Sequence, residues 1–211
     1  QPDRICAEVE ESLGDFSWTR RNNNNWGEAW SHYQAALDWW AGAPDIELAR
    51  GHYLAMVWRM AKPPGMQADY YYGYWGNYVP LEVLDKALKI SQTDNDKAHA
   101  HYLIAMTLRN QGGNERQRAR VPEEFEGAIL GGKSTDWYDD ALYNYGEWML
   151  TQGRIIPLAN GGWQNEPDYL KALEMLRRVT TEFSRGQTRY WQQAQDQIKN
   201  ITDPQLDVST G

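Results

Sequence analysis

The sequence predicts an all-α fold, an α-solenoid of about four irregular antiparallel helical hairpins. Three observations predict it. Apolar and aromatic residues recur three or four positions apart in eight stretches. Glycine and proline clusters end those stretches. A small–large–small triplet returns four times along the chain, as a stack of like hairpins requires.

Residues 1–25 read as a lead-in, with one helical run over Ile5–Leu13 and then Asn22-Asn23-Asn24-Asn25, which favour turns and caps. A helix starts close after them, because Trp26, Trp30, Tyr33 and Leu37 share one face, and Ala41-Gly42-Ala43-Pro44 ends it. The next runs over 46–61 and stops at Lys62-Pro63-Pro64-Gly65. The stretch Tyr70-Tyr71-Tyr72-Gly73-Tyr74-Trp75-Gly76-Asn77-Tyr78 fits neither periodicity and reads as an aromatic loop. Pro80 suits the first turn of a helix through Ile90. Further helices are expected over 97–110, 122–130, 139–151, 167–183 and 188–201, with 154–165 a loop and no sheet. The helical repeat domain thus spans 26–202, and 203–211 is an extended tail or linker in which Leu206 and Val208 alternate.

The triplet reads Ala29, Tyr33, Ala36 in the first helix and Ala172, Leu176, Val179 in the last pair, with looser copies at Pro80, Leu84, Ala87 and Val121, Phe125, Ala128. Its closing members are 51, 41 and 51 positions apart. Partner helices carry a large residue followed by a small one: Leu54-Ala55, Ile104-Ala105, Tyr145-Gly146 and Gln193-Ala194. Small residues there let two helix backbones approach, and each hairpin needs the next to cover its apolar side.

On these residues the chain resembles the tetratricopeptide repeat family, most clearly at Leu142, Tyr145-Gly146, Ala172, Leu176 and Val179. It departs from a period of about 34 residues through insertions around 62–78, 112–120 and 154–165. The stretch 139–202 also resembles the hairpins of outer-membrane-assembly lipoproteins, and the helical module preceding the β domains of bacterial alpha-2-macroglobulin-like proteins. Such a resemblance implies a non-catalytic protein-binding or interdomain scaffold, exported to the periplasm or cell envelope; a cytoplasmic location is the alternative. The implied partners are protein or peptide segments, including other domains of one parent chain. The contact surfaces would be a concave face lined by the first (A) helix of each hairpin, and the long loops. The thioester chemistry of the alpha-2-macroglobulin-like proteins does not carry over, since no Cys-Gly-Glu-Gln motif is present.

Composition narrows the function classes. A net charge of -8 with no long basic run disfavours nucleic acid and anionic membrane surfaces as partners. A single cysteine, Cys6, allows neither an internal disulfide nor a cysteine-rich zinc site. His99 and His101 are two apart and do not share a helix face, so no metal or cofactor is expected. Trp and Tyr number 11 and 13 against 3 Phe, which favours half-buried rings with polar handles. The candidate partner-binding residues are Tyr70, Tyr71, Tyr72, Tyr74, Trp75 and Tyr78 of the aromatic loop, extended by Trp148 and Trp163, with Trp137 nearby in sequence. The same rings could instead cap the core. A second reading is a glycan-binding or glycan-cleaving domain, with Trp75 as a stacking platform and two of Glu28, Asp139, Asp140 and Glu147 in one cleft. Asp139-Asp140 also suits the positive end of a helix dipole.

Overall fold

The computed structural model describes residues 2–19, 26–61, 79–110 and 114–203, and over these the protein is predominantly α-helical. The aromatic loop 70–78, the asparagine run 22–25 and the tail from 204 lie outside the described residues. The chain divides into two compact units, Gln1–Gln92 and Thr93–Gly211. The boundary falls within the stretch read as one repeat domain.

In the first unit α1 (Pro2–Thr19) packs on α2 (Trp26–Gly42), α2 on α3 (Ile46–Ala61) and α3 on α4 (Leu81–Ile90). The limits of α2 and α3 follow the proline and glycine stops. Pro80 sits at the N-cap of α4, one place before the first turn, with an extended ψ of 147°. α1 corrects the reading of a short run in a lead-in: it spans 18 residues and forms a full hairpin with α2.

In the second unit α5 (Asp94–Asn110) packs on α7 (Val121–Leu130), α7 on α8 (Tyr138–Thr151), α8 on α9 (Tyr169–Glu182), and α9 on α10 (Trp191–Thr202). The short α6 (Glu115–Arg118) carries an Asn114–Gln117 capping box. The expected loop 154–165 is instead an antiparallel ribbon of β1 (Arg154–Pro157) and β2 (Trp163–Glu166), with Ile155 opposite Asn165. Gly153 makes its entry possible. Its φ of 64° is open to glycine, and a Cβ there would lie 1.9 Å from the Glu166 carbonyl oxygen.

The two units share one pattern. Residues 92 positions apart match through Ala29/Val121, Tyr33/Phe125 and Ala36/Ala128, and through Leu81/Leu173, Glu82/Glu174 and Leu84/Leu176. In α1 and α5 the offset is 91, pairing Ala7 with Ala98 and Gly14 with Ala105. Burial follows the pattern: all eleven residues of the four triplets other than Pro80 are 0% exposed. Each large member contributes about 1.5–3 kcal/mol of burial. Alternating spacings of 51 and 41 are the two halves of this longer period.

The register also corrects two readings. Ala55 is exposed, whereas Ala105, Gly146 and Ala194 are buried. Tyr53-Leu54, not Leu54-Ala55, corresponds to Tyr145-Gly146, and one residue of slip turns a helical side chain about 100° from its neighbour. The hairpin of α2 takes its large–small pair from α1, as Leu13-Gly14. A Cβ on Gly14 would lie 2.6 Å from the Tyr33 ring, and one on Gly146 would lie 2.8 Å from Leu176 Cγ. Tyr33 and Leu176 hold the same triplet position, so the two hairpins close the same way. A histidine–glutamate pair recurs at matching places with its members exchanged. His32 Nδ1 lies 2.6 Å from Glu10 Oε2, and His101 Nδ1 lies 2.8 Å from Glu124 Oε2.

Candidate functional site

Within each unit, successive A helices meet through polar and aromatic side chains. On α8, Asp140, Tyr143, Asn144 and Glu147 fall at helical intervals of three, four and seven and share a face. On α5, Tyr102 and Arg109 do the same. Asn144 is 8% exposed and joins the two helices: its Nδ2 donates to Tyr102 Oη (3.3 Å) and to the Asp140 carbonyl (2.8 Å), and its Oδ1 accepts from Arg109 Nη1 (2.8 Å). Arg189 and Tyr190, just before α10, both donate to Asp140 Oδ1, Tyr190 at 3.0 Å. The Tyr143 and Tyr190 rings stack with centroids 4.3 Å apart. His99 stacks on Trp137 at 4.1 Å, and Trp137 on Tyr102 at 5.3 Å.

The electrostatics follow from burial. Desolvation, then the neighbouring Asp139 charge, push the Asp140 carboxyl up to about 7, against the hydrogen bond from Tyr190. Burial and then the Glu147 carboxylate push the Tyr143 phenol up to about 12, with Arg109 acting the other way. Burial holds His99 down at about 3, so its ring is neutral at physiological pH.

The first unit builds the equivalent seam from charges. Glu11 of α1 meets His52 of α3 (2.9 Å) and Arg59, and Asp15 accepts from Arg59 (3.0 Å) and Tyr33 Oη (2.7 Å). Glu11 and His52 occupy the places that Tyr102 and Asn144 hold in the second unit.

The sequence-predicted residues fare unevenly. Trp148 is 2% exposed and its indole N–H donates to the Gly153 carbonyl (2.8 Å), so it is a core ring that supports the ribbon and presents no surface to a partner. Trp163 is half-buried on β2, opposite Pro157. Tyr70, Tyr71, Tyr72, Tyr74, Trp75 and Tyr78 lie outside the described residues. Glu28 is exposed on α2 in the first unit, whereas Asp139, Asp140 and Glu147 sit on α8 in the second. Among the described residues no group of three or more His, Cys, Asp or Glu side chains is placed to hold a metal ion. The seam residues Asn144, Tyr190, Arg189 and Arg109 were missed. Asn144 was findable from its helical spacing to Asp140 and Glu147 on one polar face of α8; Arg189 and Tyr190 carry no such signal.

No protein-family model matches this chain, and no curated protein and no solved structure matches it with significance.

Proposed function

We propose that the chain is a non-catalytic protein-binding scaffold, a tetratricopeptide-like α-solenoid whose A-helix faces hold segments of partner proteins. The observation that carries this reading is the half-buried ring pair Tyr143–Tyr190, stacked and held in place by the buried seam that runs from Tyr102 through Asn144 to Asp140. Rings with few rotatable bonds lose little entropy on contact, and fixed polar groups beside them give register to a bound chain. In a stack of hairpins each A helix adds another such strip, which suits an extended ligand better than a small one.

Photo-crosslinking tests the reading. A benzophenone side chain at Tyr143 or Tyr190, exposed to an extract of the producing cell, gives discrete adducts that excess unlabelled protein competes away. The same group at Glu126, on α7, gives none. Equal labelling from Glu126, or no competed adduct from Tyr143 and Tyr190, overturns the proposal.

A further inference from the structure

Positions 92 apart also show where the units differ. In the second unit the end of α9 is filled by the unit's own side chains. Phe183 packs on Tyr138 with ring centroids 6.0 Å apart and lies under the Lys133 ammonium at 4.6 Å. Beside it Glu182 accepts from Tyr138 Oη (2.7 Å) and from Arg178 Nε (2.9 Å), while Lys133 donates to the Glu182 carbonyl. An acidic–aromatic pair is therefore seated on a tyrosine and two cations.

In the first unit the corresponding residues are Ala41 for Lys133, Ile46 for Tyr138, Ile90 for Glu182 and Ser91 for Phe183, while Lys86 stands where Arg178 does. These positions supply neither the ring nor the carboxylate, and among the described residues a groove of about 350 Å³ lies there, lined by Trp40, Ile46, Arg50, Tyr53, Lys86 and Lys89 among others. That volume is at the small end of ligand sites. Among the described residues no carboxylate lines the groove, although the whole chain carries -8. Ile46 is 67% exposed at its edge. Arg50 Nη1 pairs with Glu47, and the Lys86 ammonium lies over the Tyr53 ring at 5.6 Å. Apolar walls beside the Lys86 and Lys89 ammoniums call for a ligand that brings a ring and a carboxylate.

We propose that this groove binds an acidic–aromatic segment of a partner protein, a Glu or Asp followed by Phe, in the place that Glu182-Phe183 takes within the second unit. The proposal rests on the protein-binding reading above and names the chemistry of one bound segment. The carboxylate pairs with Lys86 and Lys89, and the ring covers the apolar wall that Ser91 leaves bare.

The test uses a fluorescein-labelled peptide of the chain's own sequence 180–186, Thr-Thr-Glu-Phe-Ser-Arg-Gly, titrated with the full-length protein and read by anisotropy. Saturable binding is expected, weakened about tenfold or more when the peptide's Phe becomes Ala or its Glu becomes Gln. In the protein, Ile90→Glu with Ser91→Phe installs the second unit's filling and abolishes binding, with the helical circular dichroism retained. Lys86→Glu with Lys89→Glu abolishes it without filling the groove. Affinity unchanged in both protein variants overturns the proposal, as does no saturation by about 1 mM. If the peptide fails while competed adducts at Tyr143 and Tyr190 persist, only the groove assignment falls; if those adducts fail as well, the scaffold reading goes with it.

Discussion

Asp140 departs far from the chemistry its place in the sequence implies. As a first-turn acid it needs only the helix dipole, but the fold buries it and gives it Tyr190 and Arg189 as donors from 50 and 49 positions away. Arg189 is 30% exposed, so water screens its charge, and burial sets the direction. The folded value of about 7 lies above the ordinary 3.8, so the folded state holds the proton more tightly. The sign follows: this group's stabilising contribution is complete below about pH 4 and is lost as pH rises through about 7. The loss is at most about 1.4 kcal/mol per pH unit. In Asp140→Asn that slope disappears, so urea melts of variant and parent diverge in the variant's favour between pH 4 and 7. Parallel curves would contradict the assignment. Helical spacing sets Asp140 on one face with Tyr143 and Glu147, but no spacing rule brings in a loop fifty residues on.

Helix limits were legible because proline and glycine end helices by mechanism: Gly42, Ala61 and Leu130 all precede or meet such stops. α1 was under-read for a physical reason. Its large apolar residues Ile5, Val9, Leu13 and Phe16 are 39–60% exposed, and the side it buries is Ala7, Gly14, Ser17 and Trp18. Apolar periodicity therefore pointed at the wrong face. The β1–β2 ribbon was missed because four-residue strands beside Gly161-Gly162 give too short an alternation to distinguish from a loop. Close helix approach, by contrast, was legible at Gly146. Adding one methyl there forces Leu176 aside and meets the Ala172 carbonyl oxygen at 3.4 Å. Gly146→Ala is expected to destabilise by about 1–3 kcal/mol of overpacking, net of a gain of up to about 1 kcal/mol in helix propensity. Leu176→Ala in the same chain relieves the clash, so a double-mutant cycle by urea melts gives a favourable coupling. Additive costs would mean the two side chains do not meet.

At the scale of the molecule the sequence pattern returns after 92 positions, and the spacings of 51 and 41 are its two parts. The exchanged histidine–glutamate pair tests this equivalence. Glu10→His alone sets two imidazoles together and His32→Glu alone sets two carboxylates together, each costing about 0.5–1 kcal/mol for a half-exposed pair. The double variant copies the arrangement of His101 and Glu124 and returns to within about 0.5 kcal/mol of the parent, measured by chemical denaturation. A tandem chain also runs the hazard of joining the wrong halves while it folds. Here α1 laid against α7 would confront Glu10 with Glu124, and α5 laid against α2 would confront His101 with His32. Opposite polarity in the two copies thus works as a key that each helix carries for its own neighbour, one that disfavours each crossed pairing by about 0.5–1 kcal/mol.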